Sequence, residues 1–292
     1  MTRVSLRATQ ESSPERTPTQ DLAGRAARGT GPSRTWRVVG ALARLEGRKL
    51  IRHPIFLAGV GFALLGGTIF VAEAVREPAV SWEEDGWTVF IGFGLLGLLT
   101  MVAASYVALR DRRERTEEQH DSLPIGEATK TGGLLLASLW PAFASAVLLA
   151  AVAGYAAATI GRFEDLELVH LAQTVLDVVM FGTLGVAVAR WLPSPFVAPL
   201  VAWGLIFWTP SESPSSWQVL SPFAHVETAG LALWHLVYIA GLTVVWCAVA
   251  LLKHGPRASF LGAGILGLAV VTASLVFLLP EVCPSGGRCL FG

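Results

Sequence analysis

The chain has 292 residues, 53% of them hydrophobic and only 15% charged, with 22 Lys and Arg balanced by 22 Asp and Glu. Soluble domains carry about 25% charged residues, so this composition excludes a water-soluble globule. The zero net charge says nothing of partners; the placement of the charges does. Apolar runs near the ~20 residues needed to cross a hydrocarbon core exclude a β-barrel, whose strands would show ~10-residue alternation. The fold class is an all-α polytopic membrane protein, with about seven transmembrane helices and an N-terminal interfacial amphipathic helix.

Residues Met1 to Ser33 are rich in Ser, Thr, Pro, Gly and Arg and read as a disordered tail without the apolar core of a signal peptide. Arg34 to Pro54 follows as an interfacial helix. At 100° per residue Arg37, Arg44, Arg48 and Arg52 share one sector. Val38, Val39, Leu42, Leu45 and Leu50 fill much of the rest, with Glu46 and Lys49 intruding. Such a segment suits the headgroup layer, or serves simply as a positive anchor. His53-Pro54 breaks the helix before the first span, because the residue before proline disfavours the helical region.

The expected spans are Ile55–Val75, Trp87–Leu109, Leu134–Ile160, Val169–Ala189, Phe196–Thr209, Trp234–Leu252 and Ser259–Leu279. The third is long enough to tilt or to extend past the membrane. The fifth is the shortest, preceded by Pro193 and Pro195 and with Pro199 inside it, and a start at Leu192 would give it adequate length. Lys and Arg crowd the segments before the first span and after the second, fourth and sixth. The other side has only Arg76, Arg162 and Arg288. The positive-inside rule then places the N-terminus in the cytoplasm and the tail 280–292 outside. There Cys283 and Cys289 could form a small disulfide loop or remain free thiols. Cys247 reads as a small packing residue.

The loop from Arg110 to Ile125, RDRRERTEEQHDSLPI, is densely charged and lies between the second and third spans. It reads as a grip for a soluble partner, with a solvated connector as the alternative. The acidic loop around Glu77, Glu83, Glu84 and Asp85 reads as solvated. Pro210 to Leu233 combines helix-breaking prolines with Trp217, Val219, Leu220 and Phe223, which suits an external segment dipping into the interface. The glycines Gly92, Gly94, Gly182, Gly185, Gly262, Gly264 and Gly267 suit close helix packing.

No phosphate loop of the form G-x-x-x-x-G-K-S/T, no Cys or His cluster of metal-site spacing and no nucleophile elbow occurs in the sequence. The expectation is therefore no enzyme activity and no metal or other cofactor in this chain. Asp177 is the one acidic residue deep in a span. It costs about 2.5–3.5 kcal/mol on insertion scales, which the ten Leu, Val and Phe of the same span offset at about 0.3–0.6 kcal/mol each. It reads as a substrate or proton contact on a transport path, or as a hydrogen-bonded residue of the bundle interior.

Arg44-Leu-Glu-Gly-Arg-Lys-Leu-Ile-Arg-His-Pro54, Arg113-Glu-Arg-Thr-Glu-Glu-Gln-His-Asp-Ser-Leu-Pro124 and the long apolar insertion before the sixth span carry a resemblance. Over about Trp36 to Leu252 the chain resembles the ABC-2 (type V exporter-like) permease subunits of ABC transporters. The three parts look like that family's elbow helix, its charged loop between spans two and three, and its re-entrant external helices. Arg115 stands where the family has glycine. The family commonly has six spans with a cytoplasmic C-terminus.

The resemblance implies a membrane-spanning permease of an ATP-driven exporter in a prokaryotic plasma membrane. ATP and Mg would bind a separate cytoplasmic ABC ATPase. Arg113, Glu114, Arg115, Glu117, Glu118, Leu123 and Pro124 would form the element inserted into that ATPase. A second permease copy or paralogue would complete the complex. The bilayer is the other partner, and no nucleic acid is expected. A secondary transporter using Asp177 and a non-transporting anchor or assembly protein are the alternatives.

Overall fold

The computed structural model of the chain describes residues 32–76, 87–110, 126–160, 168–208 and 229–282. Among them nine helices follow in order: α1 Pro32–Ile51, α2 Pro54–Arg76, α3 Trp87–Ala108, α4 Glu127–Ala137, α5 Leu139–Ile160, α6 Leu168–Trp191, α7 Val197–Trp208, α8 Ala229–Leu252 and α9 Ala258–Val282. No strand occurs among the described residues. Six helical stretches are long and apolar enough to cross a membrane, with α4 and the greater part of α5 counted as one stretch, Glu127–Thr159. A polytopic helical membrane protein is the architecture this supports, because in hydrocarbon each backbone group must be satisfied within its own segment.

The row of packed helices runs α2, α3, α6, α8, α9, with α5 against α2 and α6. The direction of each pair is set by where glycines let backbones approach. Gly59 lies on Leu96 and Leu99, and Gly92 on Phe62 and Ala63, so α2 and α3 are antiparallel. Gly97 receives the ring of Phe181 and Gly185 abuts the backbone of Met101, so α3 and α6 run parallel. Gly241 and Gly267 bring α8 and α9 together antiparallel, and Trp234 stacks on Phe277 at 4.0 Å farther along the same pair. The two central helices are the most buried: 67% of the apolar windows of α3 and α6 is covered, against 22% for α9. Met180, Phe181 and Leu184 share a core cluster with Tyr238 and Ile239. Farther along, the indole N–H of Trp191 at the end of α6 donates to the Val249 carbonyl near the end of α8. These pairings advance together, so α6 and α8 are parallel.

That parallel pair bears on the fifth expected span. The helix there is α7, only 12 residues, or about 18 Å at 1.5 Å per residue. It does not cross a ~30 Å core alone. Pro193 and Pro195 delay its start, since neither can donate a backbone hydrogen bond. Yet α6 and α8 point the same way, so the connection between them starts at one end of the bundle and finishes at the other. The first part of that connection is α7, packed on α3 and α6.

Other boundaries differ from expectation by identifiable causes. The third expected span begins at Leu134, but the helix starts at Glu127, where Lys130 donates to Glu127 at 2.6 Å across one turn. This i,i+3 pair suits a helix though hydropathy discounts it. The ladder is interrupted at Ser138, whose hydroxyl donates to the Leu135 carbonyl at 2.6 Å. Pro141 is the cause, for it leaves the Ala137 carbonyl without its usual donor. The sixth expected span starts at Ala229 rather than Trp234.

The described residues 32–38 belong to a unit separate from the rest, and the helix begins there at Pro32 rather than Arg34. From Val39 onward α1 runs along α4 and the start of α5. Leu42 packs at Gly133, and Gly47 receives the ring of Trp140. Val39, Ala43 and Leu50 are buried, while Arg44 and Arg48 are exposed. Leu45, expected on the apolar side, is exposed as well. The intruding Glu46 and Lys49 neutralise each other in an ion pair of 2.6 Å. At Pro54 α2 restarts as expected. Proline occupies its first position, and His53 Nδ1 accepts from the Ile55 N–H at 3.4 Å.

The contact of Gly185 with Met101 is the least forgiving. An added Cβ there would fall on the Met101 carbonyl and within 3.0 Å of its Cα. Gly185→Ala should lower stability by about 1–3 kcal/mol, the usual cost of overpacking. Gly154→Ala, with nothing within 4 Å, should be neutral or slightly stabilising. Thermal unfolding in detergent, followed by tryptophan fluorescence, compares the two.

Candidate functional site

Chemistry-bearing side chains gather in two places: at one end of the bundle and inside α6. The end cluster is built by α4, α6 and α8 with the turn after it. Glu127 stands on the first turn of α4, directly after the charged loop. It accepts from Lys130 at 2.6 Å and faces the guanidinium of Arg190, at the end of α6, at 3.7 Å. Thr131 Oγ1 is hydrogen-bonded to His254 Nε2 at 2.7 Å, joining residues 123 apart. The indole N–H of Trp191 donates to the Val249 carbonyl at 2.8 Å, and the Lys253 ammonium lies 5.3 Å above the same ring. Three segments distant in sequence are thus fastened at one level.

His254 sits in the turn that joins α8 to α9. Burial pushes it below the ordinary histidine value, Arg190 adds to the effect, Lys253 and Arg257 add a little more, and Glu127 opposes it. The folded turn therefore favours the neutral ring. His53 is also held low by burial and lies with its ring centroid 6.1 Å from that of Tyr106.

The same end carries the basic groups Arg44 and Arg48 of α1 and Arg52 just after it, and the two flanks of the charged loop, Arg110 and Gly126, both exposed. Arg37 lies on the same helix ahead of Val39. Arg113, Glu114, Arg115, Glu117, Glu118, Leu123 and Pro124 lie outside the described residues, as do Cys283 and Cys289. Among the described residues from Val39 onward, Arg44, Arg48, Arg52, Arg110, Lys130, Arg190, Lys253 and Arg257 lie at this end. Arg76 closes α2 at the other.

Inside α6, His170, Gln173, Thr174 and Asp177 form a stripe at i, i+3, i+4 and i+7, and all four are buried. On a 100° repeat the stripe is continuous with Phe181, which rests on Gly97 of α3. Asp177 is 8% exposed, in keeping with an interior position. Thr174 spends its hydroxyl on its own helix, donating to the His170 carbonyl at 2.9 Å. Asp177 Oδ1 accepts no hydrogen bond among the described residues, and neither does Ser105 Oγ on α3 make one. The interior thus holds a carboxyl oxygen open to a donor. Among the described residues no group of three His, Cys, Asp or Glu could hold a metal.

Sequence reasoning used Lys130, Arg190, Lys253 and Arg257 only as signs of orientation and missed Glu127, Thr131 and His254. The one available signal was the i,i+3 pair Glu127–Lys130 right after the loop. The long-range partners have no local signature. No protein-family model matches the chain, and no curated protein matches it in sequence.

Because the folded state binds a proton at His254 less readily than the unfolded state, that residue contributes stability above the ordinary value of 6.5. The contribution is lost as pH falls below it. Backbone hydrogen exchange of residues 126–133 and 251–258, corrected for intrinsic rates, should rise on acidification from about pH 7 to about pH 5. His254→Gln should remove that dependence.

Proposed function

We propose that the chain is the membrane-spanning permease subunit of an ATP-driven transporter of the ABC-2 exporter kind, energised by a separate cytoplasmic ATPase. One observation carries the reading. The charged segment between Arg110 and Gly126 leaves and re-enters the bundle at its basic end, where α4 is fastened to α6 through Glu127–Arg190 and to the α8–α9 turn through Thr131–His254. A push on the loop would therefore reach one central helix and the hairpin beside it.

In this reading the basic end faces the cytoplasm. The chain crosses seven times, with α7 opening the fifth crossing and the C-terminal tail outside. Alternating charges from Arg113 to Glu118 supply specific pairing to the ATPase, and Leu123-Pro124 an apolar anchor. Two permeases and two ATPases form the complex, and nucleotide closure rocks the permeases between access states. ATP and Mg belong to the partner, and this chain supplies the path and the lever. The plasma membrane of a prokaryote is the setting.

The open Oδ1 of Asp177 favours a second reading, a self-contained transporter whose coupling acid is Asp177. The carboxyl lies within the helices of a single chain rather than on an open face, which favours the first.

Affinity purification in mild detergent from native cells, with identification of what accompanies the chain, separates the two. The permease reading expects a stoichiometric ATPase carrying its own phosphate loop. Glu117→Arg with Glu118→Arg should abolish its retention while leaving membrane insertion intact. Unchanged retention contradicts the coupling role. For the second reading, Asp177→Asn should remove pH-dependent flux.

A further inference from the structure

The end cluster has a feature that gripping a soluble partner does not use. Lys253 and Arg257 flank His254 in the α8–α9 turn, and Thr131 ties that turn to α4, where Glu127 holds Lys130 and Arg190. The Trp191–Val249 hydrogen bond and the Lys253 ammonium over the Trp191 ring join the ends of α6 and α8 at the same place, so these charges share one region. Glu127 engages Lys130 and Arg190. Lys253 and Arg257 stay exposed toward the outside of the bundle. Their aromatic companions fix the depth. Trp191 lies under Lys253 with its indole N–H tied to Val249, and the ring of Phe260 lies 5.7 Å from the Arg257 guanidinium. Tryptophan prefers the headgroup level of a bilayer.

Arg257 also heads an apolar stripe. Its carbonyl accepts the N–H groups of Phe260 and Leu261, so it stands at the start of α9. Leu261, Ile265 and Leu268 follow at i+4, i+8 and i+11 and are 45%, 69% and 59% exposed. They fall within about 80° of Arg257 on a 100° repeat. The neighbouring face of α9, with Gly267 and Val271 about 40–80° to the other side of Arg257, packs on α8. Arg257 thus heads an exposed apolar track along α9, and Lys253 is exposed four residues before it in the same turn.

We infer that Lys253, Arg257 and the Leu261–Ile265–Leu268 stripe form a binding site for an anionic phospholipid. The phosphate lies between the two cations, and an acyl chain runs along α9. Charge complementarity selects the headgroup, and the stripe selects a lipid over a free phosphate. The acceptor is the leaflet at the basic end of the bundle. The inference stands on the bundle alone and does not depend on an ATPase partner.

The test uses the full chain in nanodiscs holding equal phosphatidylglycerol and phosphatidylcholine with matched acyl chains. Native mass spectrometry then counts the lipids retained on release. The unmodified chain should retain phosphatidylglycerol preferentially. Lys253→Gln with Arg257→Gln should cut that preference about tenfold, as two basic contacts to an anionic headgroup are removed. Both side chains are exposed, so the variant should melt like the parent, and Lys253→Arg should keep the preference. Arg48→Gln with Arg52→Gln, at the C-terminal end of α1 on the same side, should leave it essentially intact. An equal loss from that pair would overturn the site, because the preference would then belong to the basic end in general. Equal retention of the two lipids by the unmodified chain overturns it as well. So does displacement by free glycerol phosphate as effective as by lipid, or a lipid-free dimer in which a second copy covers the α9 stripe.

Discussion

The close parallel packing of α3 against α6 is the contact on which the other positions rest. Its closeness comes from absent side chains. Gly97 admits the ring of Phe181, and Gly185 lets the two backbones meet at Met101. In hydrocarbon there is little hydrophobic gain in bringing two helices together, so tight van der Waals contact between small residues has to supply the attraction. Once α3 and α6 are aligned, α2 hangs antiparallel on one side and α8 parallel on the other. The ends of α3, α6 and α8 and the start of α4 then come to lie at one level. The cluster of Glu127, Thr131, Arg190 and His254 is a consequence of that alignment.

Much of this was legible in the sequence, for physical reasons that can be named. Long apolar runs locate α2, α3, α5, α6, α8 and α9 because nothing else lets their backbone groups be satisfied in a bilayer. The sorting of Lys and Arg foreshadowed which ends lie together, and His53-Pro54 marked a true break. The interior position of Asp177 followed from the cost of placing its carboxyl against lipid. What escaped was whatever depends on partners far along the chain. Hydropathy hid the first turns of α4 because Glu127 and Lys130 count as polar, although paired they support a helix. Nothing local to Thr131 points to His254. The helix α7 starts at Val197, one residue after the expected Phe196, and the parallel run of α6 and α8 agrees with the crossing that the placement of Lys253 and Arg257 called for.

The functional reading rests on a mechanical rather than a chemical feature. The loop flanked by Arg110 and Gly126 enters a part of the bundle where polar contacts, not lipid-like packing, hold the helices. Polar contacts of this kind are directional and have discrete arrangements, which suits an element that must shift between two states. The stripe from His170 to Asp177 is the counterpart in the interior, a line of polar groups on a helix that the end cluster holds from below. A lipid headgroup at Lys253 and Arg257 would touch the same α8–α9 turn that carries His254, and so would bear on the junction from the membrane side.

The arrangement is tested most directly by which helix ends share a side of the membrane. Single cysteines at Gly126, Leu168, Gly230 and Lys253, in a background with Cys247, Cys283 and Cys289 replaced, can be labelled in whole cells with a membrane-impermeant maleimide. Positions 168 and 230 should react in intact cells, while 126 and 253 should react only after permeabilisation. Labelling of 168 and 230 from opposite sides would contradict the parallel pairing of α6 and α8, and with it the junction built on that pairing.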